Sequence, residues 1–149
     1  MERTFHMLLY RLSHAQRNYL RPYVGEIGLG TGQPKLVAYL AEHGSCRQRE
    51  LAGYFEIDPA AVSRMLDSMG KAGFVTCRAD ERNRRSDIVE LTEKGRAANE
   101  VWQTHCREME DMMLQGFTEQ ERMAFGQYLS RAYQNLKMQQ GRKEETAHE

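Results

Sequence analysis

The chain has 149 residues, which suits one domain or a small module carried by a larger helical body, and it is long enough to bury a hydrophobic core. Its 21 basic and 21 acidic side chains balance, so the overall charge does not by itself indicate a polyanionic partner. The charges are unevenly placed, because residues 44–85 carry eight basic against six acidic side chains and residues 86–149 carry eight against twelve.

The cysteines, the histidines and the apolar runs indicate whether the chain is a disulfide-rich, metal-binding or membrane protein. The three cysteines are an odd number without a CxxC motif, which argues against a disulfide scaffold and favours a reducing compartment. The five histidines are scattered, so we expect no metal site and no cofactor. No apolar run approaches the roughly 20 residues of a membrane span, and no signal peptide is apparent. These features predict a cytoplasmic protein with no membrane partner.

Two helices are predicted in the N-terminal part of the chain. The first spans about residues 4–24, where apolar positions recur at steps of three and four: Phe5, Leu8, Leu12, Ala15, Tyr19 and Tyr23. Pro22 lies within this pattern, where it either kinks the helix or ends it early. The glycine-rich segment 25–32 indicates a loop, and Pro34 is suited to open a second helix that ends at Gly44.

Two short helices joined by a tight turn follow. Ser45 and Gln48 have the spacing of a capping box that would start the first of them. Asp58 is suited to cap the second helix, and Pro59 to its first position, where an N–H would lack a partner anyway. Gly73 is placed to end that helix. Its apolar positions form one stripe, which comprises Val62, Leu66 and Met69.

A β-hairpin is predicted next. Residues 74–78 and 86–91 have the composition of strands, and residues 79–85 would connect them. The connection carries a cluster of arginines, namely Arg82, Arg84 and Arg85. A helix pair followed by a hairpin is the layout of a winged helix-turn-helix, which we place at residues 31–91. A local basic surface of this kind permits binding to duplex DNA with an affinity that depends strongly on salt.

Two long helices are predicted at the C-terminal end. Thr92 is suited to cap the first, and Gly116 to end it; its apolar face comprises Ala98, Val101, His105, Met109 and Met112. Thr118 and Glu121 have the spacing of a capping box for the second. Residues 141–149 contain no apolar side chain larger than alanine, so we expect a disordered tail there.

The apolar stripes of the long helices exceed what a small winged module can cover. We therefore expect residues 1–30 and 92–140 to form a helical dimerisation region that pairs with a second copy of the chain. The predicted fold class is mainly α with a small β-hairpin wing (α+β), a winged helix-turn-helix flanked by N- and C-terminal dimerisation helices.

Several motifs between Gly30 and Gly95 match a known family. They are residues 49–52 (RELA), 61–67 (AVSRMLD), 71–75 (KAGFV), 80–85 (DERNRR) and 89–95 (VELTEKG). On these motifs the chain resembles the MarR family of bacterial transcriptional regulators, and the flanking helices resemble that family's dimerisation region. One departure is Arg47, where similar proteins usually have a Ser or Thr cap.

The resemblance implies that the second helix of the pair enters the major groove of DNA, where a small-residue surface allows close approach. The residues expected there are Pro59, Ala60, Ala61, Ser63 and Arg64. Arg64 can bond a guanine in bidentate fashion, and the alternative is a solvated arginine paired with Asp67 or Asp58. Arg82, Arg84 and Arg85 suit a narrow minor groove, whose negative potential attracts guanidinium groups.

Further roles are implied by the same resemblance. One wing arginine would pair with Asp80 and shape the wing, while Arg47 and Gln48 are candidate phosphate contacts. An effector site is expected between the DNA-binding module and the dimerisation helices. Its candidate lining residues are Tyr10, His14, Arg17 and Tyr39.

These features predict a sequence-specific regulator that binds double-stranded DNA as a homodimer on a pseudo-palindromic operator, as a repressor responsive to a small molecule. One alternative is a protein-interaction module that keeps the winged fold without binding DNA. A second is a thiol-based redox sensor that uses Cys46, Cys77 or Cys106, with Cys46 the first candidate because it precedes a helix N-terminus. An enzyme is not expected, because no nucleophile-base pair, phosphate loop or metal motif is present.

Overall fold

The computed structural model describes residues 4–147, without the side chains of residues 80, 83–86, 145 and 146. Its elements are α1 (Phe5–Glu26), α2 (Pro34–His43), β1 (Cys46–Arg47), α3 (Gln48–Phe55), α4 (Pro59–Lys71), β2 (Val75–Asp80), β3 (Asn83–Leu91), α5 (Glu93–Met113) and α6 (Glu119–Ala147). The predicted order of four helices, a hairpin and two helices is confirmed, with β1 as an additional strand. The chain divides into two compact units, residues 1–109 and 110–149.

The core of the first unit lies within the winged module. Its fully buried side chains come from three helices and two strands: Leu36, Val37, Leu51, Val62, Leu66, Met69, Val75 and Val89. The predicted stripe of α4 therefore lies against the core, as its spacing requires. Each such side chain contributes about 1.5–3 kcal/mol when it leaves water, so this stripe determines which face of α4 is buried.

Both ends of α4 form as predicted. The Asp58 carboxylate accepts a hydrogen bond from the Ala61 N–H at 3.3 Å, and Pro59 occupies the first turn. At the other end, Gly73 has φ +86° and the Phe74 N–H donates to the Met69 carbonyl at 2.9 Å. A left-handed residue after the last turn is the usual place for glycine, because it has no Cβ to clash.

The start of α3 differs from the prediction. The Ser45–Gln48 capping box is wrong, because Cys46 and Arg47 form the short strand β1 and the helix begins at Gln48. Arg47 occupies the N-cap position with an extended backbone and without a side-chain cap hydrogen bond. The backbone of Cys46 and Arg47 instead pairs with Val89 and Ile88 of β3. Pairing with a distant strand thus fixes the segment that precedes α3, where the sequence had indicated a cap at Ser45.

The sheet is antiparallel with the order β1-β3-β2, so β3 is its central strand. The β2–β3 hairpin is tighter than predicted, since the strands extend to residues 80 and 83 and only Glu81 and Arg82 form the turn. The pairing shifts between Ala79 and residue 80. The arginines expected in a seven-residue loop are therefore divided between the turn and the first residues of β3.

Helix α1 passes through Pro22 and continues to Glu26, so the proline does not end it early. Directly after this proline, the Tyr23 ring stacks on the His105 ring of α5, with centroids 3.8 Å apart and planes 16° apart. Burial, followed by the hydrogen bond and charge of Tyr23, raises the pKa of Tyr19. These aromatic contacts attach α1 to α5 within the first unit.

Helix α5 begins in close contact with the end of α4. The Thr92 hydroxyl accepts the Gly95 N–H at 3.1 Å, which confirms it as the cap, and it donates to the Gly73 carbonyl at 2.6 Å. Gly95 is buried, and a Cβ there would overlap the Phe74 carbonyl oxygen and lie 2.5 Å from a Leu91 methyl. The approach of the two segments therefore requires glycine.

The second unit begins with the last turn of α5 and contains α6. Thr118 and Glu121 form the predicted capping box, with reciprocal bonds of 3.1 and 2.8 Å. Arg122 pairs with Asp111 at 3.3 Å across the connection. The predicted disordered tail is wrong over residues 141–147, which continue α6 through Gly141, because the residues after this glycine include no proline or further glycine. No helix among the described residues is both long and apolar enough to cross a membrane.

The close approach at Gly95 generates a prediction about stability. Gly95→Ala should lower the free energy of unfolding by about 1–3 kcal/mol, because the methyl group must displace backbone. Gly53→Ala in α3 is the matched control, since nothing lies within 4 Å of its Cβ position. There the same change should raise the free energy by about 0.4–1 kcal/mol. Urea denaturation at equal protein concentration measures both, and equal effects would contradict the packing argument.

Candidate nucleic-acid interface

The outward face of α4 is small and polar. Pro59, Ala60 and Arg64 are exposed, while Ala61 and Ser63 are half-buried. They lie on the faces of the helix that the buried stripe leaves outside. A helix with this surface can approach a major groove closely, with one long side chain able to reach base edges.

Arg64 is not held by the neighbouring carboxylates. As far as side chains are described in residues 4–147, no ion pair joins Arg64 to Asp58 or Asp67. The Asp58 carboxylate is instead engaged by the Ala61 N–H, since it caps α4. The alternative of a paired surface arginine is therefore not what this structure contains, and the guanidinium keeps its donors for another partner.

The wing is only partly described. Arg82 lies exposed in the turn between β2 and β3. The side chains of Arg84, Arg85 and Asp80 lie outside the described residues, so their DNA contacts and the expected ion pair stay predictions. The strands beneath the turn are linked by an ion pair between Arg78 and Glu90, at 3.2 Å.

The residues proposed for phosphate contact lie where α3 meets the sheet. The Gln48 side-chain amide donates to the Asp87 carboxylate at 3.4 Å, which joins the start of α3 to the central strand. Arg47 is half-buried in β1. Sequence reasoning did not predict the Gln48–Asp87 link, because its partners are 39 residues apart. The phosphate roles of both residues remain predictions.

The four candidate effector residues fall in two groups. The rings of Tyr10 and His14 stack along α1, with centroids 6.3 Å apart, and Arg17 is exposed on the same helix. Tyr39 belongs to an aromatic cluster on α2 and α3, with His43 at 4.2 Å and Tyr54 at 4.7 Å between centroids.

Tyr39 is thus engaged by other rings. Burial, followed by the charges of Cys46, Glu50 and Tyr54, raises the pKa of the Tyr39 hydroxyl. Within the described chain no ring contact joins Tyr39 to the two rings on α1. The shared pocket remains a prediction.

Neither Cys46 nor Cys77 has the lowered pKa of an activated thiol. Cys46 is buried in β1, and burial, followed by the charge of Glu50, raises the pKa of its thiol from 9.0 to about 11. The expected lowering of this pKa by a helix N-terminus is wrong, because burial, which disfavours the charged thiolate, is the larger effect. Cys77 is exposed, yet partial desolvation, with the charges of Asp87 and Asp67, also raises the pKa of its thiol.

Among the described residues, no three His, Cys, Asp or Glu side chains are grouped closely enough to hold a metal ion. His105 lies 3.6 Å from the Glu108 carboxylate, and the two residues form an i,i+3 pair on α5.

Comparison with known sequences identifies a family. The sequence profile of the MarR family matches residues 32–86. The HTH-type transcriptional regulator BilQ of Clostridium symbiosum is 30% identical over 95 residues. These residues are 64% of this chain and 66% of that regulator, so the match spans just under two thirds of the regulator's length.

Two solved structures extend the likeness. A MarR-family regulator from Listeria monocytogenes, crystallised with a 26mer DNA, has a TM-score of 0.83 over 91% of this chain and 90% of its own. At 20% identity this likeness concerns the fold alone. A transcriptional regulator of the MarR family from Silicibacter pomeroyi has 30% identity and a TM-score of 0.77, with 87% of each chain covered. The chain therefore belongs to the MarR family of transcriptional regulators.

Proposed function

We propose that this protein is a sequence-specific, DNA-binding transcriptional regulator that acts as a homodimer. The observation that carries the proposal is the outward face of α4, where Arg64 is exposed among small residues and pairs with none of the carboxylates whose side chains are described. In the proposed complex α4 lies in the major groove, and Arg64 reads a guanine through two hydrogen bonds. The adjacent hairpin, with Arg82 in its turn and Arg84 and Arg85 at the start of β3, lies in the flanking minor groove, where negative potential attracts arginine.

The fold supports this arrangement. The Listeria regulator that was crystallised with DNA has the same fold over nine tenths of this chain. Ser63 is half-buried on α4, close enough to the outer face to bond either a base or a phosphate. Balanced overall charge is compatible with this role, because phosphate contacts depend on local basic residues and not on net charge.

Dimerisation is supported by apolar side chains that a single chain leaves in water. On α1, Phe5 is 72% exposed, and on α6 Leu136 is 68% exposed. Other large apolar side chains on these two helices are also exposed: Met7, Leu8, Tyr10, Met123, Tyr128, Leu129, Tyr133 and Met138. Apolar surface of this extent on a helix indicates an interface. We propose that a second copy covers it in a two-fold dimer, which presents two α4 helices to a pseudo-palindromic operator.

The proposal includes repression of transcription and release of the dimer from DNA by an effector. Bound at an operator, the dimer would exclude other proteins from the promoter. A small-molecule effector would release it by binding better to the conformation whose α4 helices are wrongly spaced for DNA. Tyr10, His14, Arg17 and Tyr39 remain the candidates for the effector site, with the first three on α1.

The thiol-sensing alternative has less support. A sensor cysteine reacts as a thiolate and must be accessible, so it needs a lowered pKa. Cys46 has the opposite properties, because it is buried and the pKa of its thiol is raised to about 11.

Arg64→Ala should abolish part of the sequence discrimination. With an operator selected from a random duplex pool, the variant should lose about 1–3 kcal/mol of preference for that operator over a site changed at the contacted base. Arg21→Ala removes the same charge from an exposed position on α1 and should leave this preference intact. Gel-shift titration measures both, and an unchanged preference in Arg64→Ala would refute its reading role.

Arg84→Ala should weaken binding to every duplex alike. Loss of one phosphate or minor-groove contact should reduce the slope of log affinity against log salt by about 1. Filter binding to random duplex at several salt concentrations measures the slope. The same experiment tests the protein-interaction alternative, since wild-type protein that fails to bind duplex at low salt would favour that alternative.

Cys46 should react slowly with alkylating agents in the native protein. The pKa of its thiol is raised from 9.0 to about 11, so the thiolate fraction at pH 8 is about 100-fold lower than in an unperturbed cysteine. Burial also slows the access of the reagent. The measurement is iodoacetamide labelling of a Cys77→Ser, Cys106→Ala protein, native and in urea, followed by mass spectrometry. Equal rates in the two states would restore Cys46 as a sensor candidate.

A further inference from the structure

A set of contacts joins the end of α4 to the start of α5. We call it the α4–α5 clamp, and define it as Thr92, Lys94 and Gly95 with the backbone of residues 72–74. Its members are 18 to 22 residues apart in sequence where they bond, so only the tertiary fold brings them together. It lies wholly within the first unit.

Lys94 makes the most directional contact of the clamp. Its ammonium group donates to the Ala72 carbonyl at 2.6 Å, and Ala72 is the C-cap residue of α4. The same nitrogen lies 4.6 Å from the centroid of the Phe74 ring. A cation at the C-terminal carbonyls of a helix is favoured by the helix dipole, and the aromatic face adds a second attraction.

Thr92 and Gly95 hold the same segment at two further points. The Thr92 hydroxyl donates to the Gly73 carbonyl, and the Thr92 N–H donates to the Phe74 carbonyl at 3.1 Å. Gly95 packs directly on the Phe74 carbonyl. Contacts at three successive residues restrict rotation as well as translation, so α4 cannot turn about its C-terminal end without breaking one of them.

Within the first unit, α5 connects the clamp to α1, which carries part of the proposed dimer face. Helix α5 runs without interruption from the clamp to His105, whose ring stacks on Tyr23 of α1 at 3.8 Å. Helix α1 also bears the exposed apolar residues Phe5 and Leu8. The orientation of α4 is thus determined relative to the helix that carries part of this apolar face.

We propose that Lys94 is a positioning residue that fixes the recognition helix on α5, and that the clamp thereby makes the dimer selective for one half-site spacing. This inference rests on the proposed function as a dimeric DNA-binding regulator. Each base pair inserted between half-sites moves them apart by about 3.4 Å and rotates them by roughly 35°. A firmly held α4 cannot follow that displacement, whereas a loosened α4 can.

The experiment measures affinity against half-site spacing. The selected operator is rebuilt with one or two base pairs added or removed at its centre, and full-length dimers are titrated against the series. The variants are wild type, Lys94→Met, Lys94→Arg and Lys71→Met. Lys71 is exposed in the last turn of α4 and supplies the control for loss of one positive charge. Thermal melting identifies unfolded variants, and Lys94→Gln replaces Lys94→Met if the latter fails to fold.

In Lys94→Met the ratio of affinities between the best spacing and its neighbours should fall about five-fold, the lower end of measured couplings between sites. Lys94→Arg should retain the wild-type ratio, because a guanidinium can also bond the Ala72 carbonyl and stack on Phe74. Lys71→Met should retain it as well. General destabilisation would lower all affinities without changing the ratio, so that result would overturn the role of Lys94. Wild-type protein with no preferred spacing would instead overturn the proposed function, and this inference with it.

Discussion

Burial of one stripe of α4 is the constraint on which the rest of the candidate interface depends. Val62, Leu66 and Met69 are almost completely inaccessible to water. Because a helix has 3.6 residues per turn, burying these positions leaves Ala60 and Arg64 on the solvent side. Rotating α4 by half a turn about its axis would expose three large apolar side chains, at a cost in stability of about 1.5–3 kcal/mol each. The outward direction of Arg64 therefore follows from the core.

The two ends of α4 are held by different means. The Asp58 cap satisfies N–H groups locally at the N-terminal end, where the helix would approach DNA. At the C-terminal end the carbonyls of residues 72–74 are engaged by Thr92 and Lys94. A local cap determines where the helix starts, whereas a distant partner determines how the helix is placed in the unit.

The burial of large apolar side chains differs between parts of the chain. Most large apolar side chains of the winged module are buried, with Tyr54 an exception, whereas α1 and α6 leave several large ones exposed. A chain whose apolar side chains are buried in one part and exposed in another is typical of a subunit that buries the exposed part in an oligomer.

Local patterns in the sequence determined the helices, their caps at Asp58, Thr92 and Thr118, and the buried stripe of α4, because these depend on neighbours within one or two turns. They also indicated Arg64 and the basic hairpin as the candidate interface. Strand β1, the two-residue hairpin turn, the Gln48–Asp87 bond and the α4–α5 clamp were decided only by the tertiary structure. Each of these joins or aligns separate segments of the chain, so no periodicity or capping motif encodes it. Cys46 shows the same limit, since the burial that raises the pKa of its thiol arises only in the tertiary fold.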